Sequence, residues 1–216
     1  MAEHHGFVTA NIDYFDKASD TYDTFPALQD LTRKQAAFIL SDGWSFNTES
    51  TTVLSFACGA GLMEKDLVAH CKYIQGVDIS PGMVDKYNKT AENLRGLFKD
   101  ERNRLRTQGA PWLIHHFESP EEITRILTYF LNPGGALLVT GRFIPNAVSQ
   151  VEDIPEQYRS IVPHKAGFSE EDMRKLLEGA GLGAFSLNVI PGATMHGFFP
   201  GATHPKLFLA KGIKPI

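Results

Sequence analysis

Two glycines and an aspartate are the residues whose types and spacing first indicate chemistry. Gly59 and Gly61 follow one apolar run, and Asp78 ends the next apolar run. Glycines let the backbone approach a ligand closely, and a carboxylate at a strand tip accepts hydrogen bonds from both hydroxyls of a ribose. The spacing therefore predicts a site for an adenosyl group that includes Gly59, Gly61 and Asp78.

The same turn does not match the sites that bind phosphates. Glu64 stands where the dinucleotide fingerprint G-x-G-x-x-G needs its third glycine, and no G-K-[ST] of a P-loop follows. An acid near a helix start is unfavourable for a pyrophosphate. S-adenosylmethionine (SAM) carries a cationic sulfonium and ammonium instead. The sequence therefore favours SAM as the cofactor and disfavours a nicotinamide oxidoreductase.

A β-α-β unit is needed to position these residues, and the flanking sequence predicts one. A buried strand is expected over Val53–Ala57, a helix over Leu62–His70, and a second strand that ends at Asp78. Farther along the chain, Phe185–Ile190 and Lys206–Ala210 indicate a closing antiparallel hairpin. The pattern is typical of an α/β fold with its ligand at the strand tips.

Several stretches, in this order along the chain, resemble the motifs of class I SAM-dependent methyltransferases. The usual first two motifs are close to V-L-D-x-x-C-G-x-G and V-x-G-V-D-x-S-x-x-M, and a later block reads HHF-x-x-P…L-x-P-G-G-x-L-x-V. The likeness extends over roughly residues 14–212 and is nearest in wording to the small-molecule methyltransferases of fungi. The matching stretches are VLSFACGAG (53–61), IQGVDISPGMV (74–84), IHHF (114–117), Pro120, LNPGG (131–135) and LLVT (137–140).

The resemblance implies a fold and a cofactor site. It implies an α/β fold with a Rossmann-like doubly wound sheet, mostly parallel, that ends in the antiparallel hairpin. It also implies a single domain over residues 1–216, in which residues 1–45 form a helical lid and residues 50–216 form the core. The residues expected to bind SAM are Tyr22, Ser55, Ala57, Gly59, Gly61, Asp78, Ile79 and Met83.

Ser55 departs from the family pattern, in which the first strand carries an acid that helps to bind the methionine part of SAM. Serine keeps a hydrogen bond but places no charge opposite the ammonium. Since a charge-assisted hydrogen bond contributes roughly 1.5–3 kcal/mol, SAM is expected to bind about ten- to a hundredfold more weakly. In an enzyme, Ser55→Asp should therefore tighten SAM binding, whereas in a scaffold with a collapsed pocket it should have no effect.

The segment between Leu94 and Leu113 is a second departure, because it is short. It holds at most one strand, Pro111–His115, where the family has a strand, a loop, a helix and the next strand. About one β-α unit of the seven-stranded fold is therefore expected to be missing. Because strand 4 of the family lies at the sheet centre and strand 3 at an edge, Pro111–His115 is interpreted as strand 4. A splice variant or a mispredicted exon would produce the same sequence.

Two adjacent histidines, His115 and His116, are the candidate catalytic residues. They follow the strand that faces the transferred methyl group in the resembling family. A histidine has a suitable pKa for general base catalysis, which is needed only where the acceptor loses a proton. Either histidine could instead pack against or cap the next helix. The loops expected to cover an apolar or aromatic acceptor contain Phe143, Met195, His196, Phe198 and Phe199.

Composition excludes several other classes of protein. The 216 residues are 43% hydrophobic and 21% charged with a net charge of −4, which indicates a globular chain without a basic footprint for nucleic acid. No apolar run is long enough for a membrane span, and the N-terminus lacks the pattern of a signal peptide. Cys58 and Cys71 form no disulfide framework, so a reducing cytoplasmic setting is expected. The histidines lack metal-ligand spacing, so no metal is expected.

Two functions remain open on this evidence. The first is SAM-dependent methyl transfer to a small-molecule acceptor. The alternative is a catalytically degraded methyltransferase-like protein, in which Ser55 and the short middle segment leave a binding or regulatory scaffold.

Overall fold

The computed structural model describes residues 4–41, 46–93, 109–111, 114–145, 158–164, 166–194 and 206–216. No helix in these ranges is both long and apolar enough to cross a membrane. Helices and strands alternate through the middle of the chain, as the sequence predicted. The helices are α1 (His4–Tyr22), α2 (Pro26–Ser41), α3 (Glu64–Leu67), α4 (Pro81–Asn93), α5 (Pro120–Phe130) and α6 (Glu170–Gly179).

The described strands form one sheet with the order β2-β1-β3-β4-β6-β5. The β1–β2, β1–β3 and β3–β4 pairs are parallel, whereas β6 pairs antiparallel with both β4 and β5. The Rossmann-like α/β fold and its C-terminal antiparallel hairpin are therefore confirmed. The strands are β1 (Thr52–Phe56), β2 (Tyr73–Val77), β3 (Gly109–Pro111), β4 (Ala136–Arg142), β5 (Gly183–Thr194) and β6 (Lys206–Ile213).

The short strand β3 lies between β1 and β4, which is the central position expected for the family's strand 4. Its predicted bounds, Pro111–His115, were wrong: the strand covers Gly109–Pro111, and Ile114–His116 is a 3-10 helix. Pro111 has no N–H with which to continue a sheet ladder. A turn bond from the Phe117 N–H to the Ile114 carbonyl, at 3.2 Å, closes the 3-10 turn instead.

The sheet has a hydrophobic cluster on each face, because neighbouring residues of a strand point to opposite sides. Val53 on β1 belongs to the cluster that α2 and α3 cover, and Leu54 belongs to the cluster under α5 and α6. On β6, Leu207 and Phe208 divide between the clusters in the same way. A buried hydrophobic layer on both faces fixes the strand tips, where the site lies.

Serine side chains begin several of the helices. The Ser80 Oγ accepts a hydrogen bond from the Met83 N–H at 3.1 Å at the start of α4. Ser169 and Asp172 form a capping box at the start of α6. The helix predicted over Leu62–His70 is shorter, because α3 covers only Glu64–Leu67 and continues as a 3-10 helix over Val68–His70.

Candidate active site

The glycine turn after β1 has the backbone geometry that its sequence predicts. Gly59 and Gly61 have φ of +55° and +78°, a region that favours glycine, and Ala57 shares it with φ of +56°. The Asp78 Oδ2 accepts a hydrogen bond from the Gly59 N–H at 2.8 Å, and its Oδ1 accepts one from the Ser80 N–H at 2.9 Å. Asp78 therefore ties the glycine turn to the end of β2.

A cavity of about 400 Å³ opens at this edge of the sheet. One side is formed by the glycine turn and the end of β2, and the other by the face of α1 and the segment after the 3-10 helix at residues 114–116. Most of the surface is apolar, and few polar groups face the space. The lining residues are Phe7, Val8, Asn11, Phe15, Tyr22, Phe56, Ala57, Gly59, Val77, Asp78, Ile79, Met83, His116, Phe117 and Glu118.

Most of the residues predicted to bind the cofactor line this cavity, but two do not. Gly61 lies against the ring of Tyr87, where an added Cβ would be 3.0 Å from the Tyr87 Cδ2. Ser55 is only 1% exposed, and its hydroxyl donates a hydrogen bond to the Glu64 carboxylate. The predicted residues that do line the cavity are Tyr22, Ala57, Gly59, Asp78, Ile79 and Met83.

Glu64 is a buried acid that the sequence interpretation treated only as a missing glycine. Glu64 is only 3% exposed, and burial raises the pKa of its carboxyl group to about 7. The hydroxyl of Ser55 and nearby backbone N–H groups act in the opposite direction, because they stabilise the charged form. A carboxylate thus lies beside Ser55, at the strand where the resembling family has an acid.

The two candidate catalytic histidines have different surroundings. His116 lines the cavity, and its Nδ1 lies 2.8 Å from the Ile161 carbonyl oxygen. Burial lowers the pKa of His116 to about 4, so the ring is neutral at pH 7. His115 stacks against it at 4.7 Å between ring centroids but does not line the cavity. Burial also holds the pKa of His115 well below its usual range.

Polar contacts with α4 hold helix α1 over the cavity. The Asp16 carboxylate accepts hydrogen bonds from the Ser80 hydroxyl and, at 2.9 Å, from the Gly82 N–H at the start of α4. Lys86 on α4 donates to the Asp20 carbonyl at 3.0 Å and pairs with Asp23 at 3.2 Å. These contacts hold the aromatic face of α1 against the cavity.

The expected acceptor loops are only partly described. Phe143 packs into the hydrophobic cluster under α5 and α6 and pairs with Phe168 through an isolated bridge, so it does not line the cavity. Met195, His196, Phe198 and Phe199 lie outside the described residues. Within the described ranges, no group of three potential metal ligands comes together.

The sequence interpretation missed Phe7, Val8 and Asn11, which line the cavity from α1. The missed signal was their spacing, since Phe7, Asn11 and Phe15 recur every four residues and so share one helical face. Phe117 and Glu118 were also missed as lining residues, although they directly follow the candidate His116.

Sequence comparison finds one curated relative, while no protein-family model matches the chain. The relative is an uncharacterized methyltransferase of Schizosaccharomyces pombe that is 28% identical over 153 residues. The alignment covers 61% of this chain and 53% of the yeast protein, so the chain spans about half the length of that relative.

Solved structures with the same fold include SAM-dependent methyltransferases. A phosphoethanolamine N-methyltransferase of Haemonchus contortus in complex with SAM has a TM-score of 0.59 at 12% identity, over 84% of this chain and 52% of that one. A DhpI complex with S-adenosylhomocysteine (SAH) has a TM-score of 0.61 at 14% identity, over 98% of each chain. A possible histamine N-methyltransferase of Thermotoga maritima has a TM-score of 0.58 at 18% identity, over 93% of this chain and 98% of that one. The resemblance seen in the sequence is thus confirmed: the chain has the fold of the class I SAM-dependent methyltransferases and a methyltransferase as a sequence relative.

Proposed function

We propose that this chain transfers a methyl group from SAM to a small-molecule acceptor. The observation that carries the proposal is one cavity bordered by the glycine turn and Asp78 on one side and by His116 on the other. A cofactor pocket and a candidate base are thereby next to the same space. The SAM complex of the Haemonchus contortus protein and the SAH complex of DhpI, which share the fold, support the choice of cofactor.

The residues of the cavity fit an adenosyl ligand. Each carboxylate oxygen of Asp78 accepts one backbone N–H, and a carboxylate oxygen can accept a second hydrogen bond, which leaves one site on each for the ribose hydroxyls. Ile79 and Met83 offer apolar surface beside Asp78. Tyr22 lies against Gly59, since its Cε1 would be 3.6 Å from a Cβ at that glycine. A bound SAM supplies an electrophilic methyl group on a sulfonium.

The chain's own residues would position the acceptor, exclude water and accept a proton. Helix α1, which its contacts with α4 hold in place, restricts the access of water to the cavity together with the rings of Phe15 and Phe117. His116 is a neutral imidazole beside the cavity and can accept a proton from the acceptor. We assign no direct role to His115, because it lies behind His116 and outside the cavity.

The predicted lid and the predicted core of the chain contribute to the site in different ways. Within the predicted lid, residues 1–45, helix α1 is the part that closes the cavity, supported by the contacts of Asp16 with α4, whereas α2 packs on the sheet together with the core, residues 50–216 of the same domain. A cytoplasmic setting stays a prediction, which fractionation of cells that express the tagged chain would check.

Calorimetric titration with SAM and, separately, with SAH tests the proposal. We expect micromolar binding to the unmodified chain and roughly ten- to a hundredfold weaker binding to Asp78→Asn, because the amide loses the charge and an acceptor site. Asp85→Asn is the matched control, since Asp85 is exposed on α4 and does not line the cavity.

No binding of either ligand at millimolar concentration by the folded chain would contradict the methyltransferase proposal. The alternative of a degraded scaffold, which Ser55 and the short middle segment favour, would then be preferred. Equal losses of affinity in Asp78→Asn and Asp85→Asn would contradict the proposed site even if SAM bound.

A further inference from the structure

Asn11 joins helix α1 to the segment that contains Ile161 through a defined set of hydrogen bonds. Its side chain is buried, and its Nδ2 donates to the Phe7 carbonyl at 2.9 Å and to the Ile161 carbonyl at 3.1 Å. Carbonyl oxygens only accept hydrogen bonds, so both partners require the amide NH₂ on that side. The Asn11 Oδ1 is therefore the atom that faces His116.

The Asn11 Oδ1 and the Ile161 carbonyl together determine which nitrogen of His116 carries its proton. The His116 Nδ1 lies 3.1 Å from the Asn11 Oδ1 and 2.8 Å from the Ile161 carbonyl oxygen. Since both neighbours are acceptors, Nδ1 must be the protonated nitrogen that donates to them. In the neutral ring, Nε2 then carries a lone pair and no proton. Nε2 makes no hydrogen bond with the described residues, and His116 lines the cavity.

We propose that Asn11 is a positioning residue that holds His116 in the Nδ1–H tautomer, so that its Nε2 accepts a hydrogen bond from a hydroxyl group of the methyl acceptor. The inference rests on the proposed methyl transfer and goes beyond it by naming the chemical class of the acceptor. Asn11 acts twice, because it contacts the ring and also holds the Ile161 carbonyl that the ring contacts.

The surroundings of His116 favour a neutral, apolar or aromatic molecule as the bearer of that hydroxyl. Phe15 packs edge-on against His116 at 5.6 Å between ring centroids, and Phe56 and Phe117 form a second aromatic pair at 5.6 Å. The acidic side chain of Glu118 borders the same cavity and disfavours an anion. A phenol combines an aromatic frame with one hydrogen-bond donor and matches this lining.

The proton and the electron pairs balance in the proposed step. A lone pair of the hydroxyl oxygen forms the new O–CH₃ bond, the S–CH₃ bond breaks, and its electron pair stays on sulfur, which becomes a neutral thioether. The oxygen grows acidic as the O–CH₃ bond forms, so its proton passes to His116 Nε2 and later to solvent. A weak base is sufficient here, because the alkylated hydroxyl is a much stronger acid than an imidazolium.

Long-range proton–nitrogen NMR on the histidine-labelled chain tests the tautomer without any acceptor or activity. We expect His116 at pH 7 to carry its proton on Nδ1 and none on Nε2. An Nε2–H tautomer or an imidazolium at pH 7 would overturn the inference. In Asn11→Ala we expect a second tautomer to appear, because the ring loses one of its two acceptors and the Ile161 carbonyl loses the Asn11 amide that helps to hold it in place. The matched control is Asn188→Ala, since Asn188 is exposed on β5.

Methyl transfer from SAM to simple phenols, and to the corresponding anilines and benzoates, tests the acceptor class. We expect methyl ethers from phenols, with kcat about tenfold lower in Asn11→Ala than in the unmodified chain. Methylation of anilines or benzoates alone, or of none of the panel while SAM binds, would overturn the acceptor class. Equal kcat in Asn11→Ala and Asn188→Ala would overturn the positioning role. If the unmodified chain did not bind SAM, the proposed function would be contradicted instead. The NMR measurement would still test the tautomer of His116, because it needs neither SAM nor an acceptor.

Discussion

Ser55 and Glu64 show how a residue's role depends on its neighbour. Considered alone, Ser55 replaces the acid that the resembling family has on its first strand, and introducing an aspartate there was expected to tighten SAM binding. In the structure, Ser55 donates to the buried Glu64 carboxylate, so Ser55→Asp would place two carboxylates side by side. Ionising two adjacent carboxyl groups costs free energy, because their negative charges repel each other. We therefore expect Ser55→Asp to destabilise the chain unless Glu64 is also replaced.

The raised pKa of Glu64 makes stability depend on pH. Its folded-state pKa is about 7, against an unperturbed value of 4.5, so the native chain keeps a proton that the unfolded chain releases between these values. Stability is therefore expected to fall as pH rises from about 4.5 to 7, by about 3 kcal/mol for this group. Glu64→Gln should remove that fall and be more stable than the unmodified chain at pH 8.

Urea unfolding at pH 5 and pH 8 measures this effect. Glu49→Gln is the matched control, because Glu49 is exposed and its loss should leave the pH dependence unchanged. A Glu64→Gln chain whose stability falls with pH as steeply as that of the unmodified chain would contradict the role given to Glu64.

Gly76 shows a second constraint at the scale of single residues. A Cβ at Gly76 would lie 2.6 Å from ring atoms of Tyr87 and 2.8 Å from the Cys58 Sγ, behind the glycine turn. We expect Gly76→Ala to cost about 1–3 kcal/mol in free energy of unfolding, because the core there is already filled. Gly179→Ala is the control, since nothing lies within 4 Å of its added Cβ. Urea unfolding should show no loss for that variant, and equal losses in both would contradict the packing argument.

At the scale of elements, helix α1 closes the cavity only because α4 holds it. The Ser80 hydroxyl and the Gly82 N–H keep the pKa of the Asp16 carboxyl below its usual range, so the contact is present at pH 7 and is lost as pH falls through that lowered pKa. We expect Asp16→Ala to weaken SAM binding roughly threefold to tenfold, because the closed position of α1 becomes less populated.

Calorimetry together with hydrogen exchange of α1 amides checks this expectation. Exchange of the α1 amides should be faster in Asp16→Ala than in the unmodified chain. Asp13→Ala is the control, because Asp13 is exposed on the same helix. Unchanged SAM affinity and unchanged exchange in Asp16→Ala would show that α1 does not depend on this contact.

At the scale of the whole molecule, the centre of the sheet depends on a very short strand. Among the described residues, β3 pairs with β1 over Leu54–Phe56 and with β4 through Gly109 and Leu137. The glycine turn follows β1, Asp78 follows β2 and His116 follows β3, and all three meet at one edge of the sheet. A ligand that bridges these parts is therefore expected to stabilise the entire fold.

Thermal unfolding with and without SAH measures that coupling. At a hundred times its Kd, a ligand that binds only the native state adds about 2.7 kcal/mol. For a chain of this size, that corresponds to a rise in Tm of about 5–10 °C. Asp78→Asn should show a smaller rise at the same SAH concentration. No rise in Tm at saturating SAH, as judged by calorimetry, would contradict a ligand site that bridges these parts of the chain.

The local sequence determined the parts of this protein that depend on short-range patterns. The glycine turn, the acid at the tip of β2, the capping box of Ser169 and the closing hairpin all follow from neighbouring residues, whose backbone preferences and alternation act over a few positions. The position of β3 beside β1 was also predictable, because a sheet of this type loses an edge strand more easily than a central one. The resemblance to methyltransferases used the same local motifs.

Only the tertiary structure decided which side chains meet. Asn11 and His116 are far apart in sequence, as are Asp16 and Gly82, and their contacts arise from the docking of α1 on the strand tips. The same docking separates His116, which lines the cavity, from its neighbour His115, which does not. Sequence spacing carries no information on such distant pairs, because burial and partner choice, which set the pKa values and the tautomer, are properties of the packed molecule.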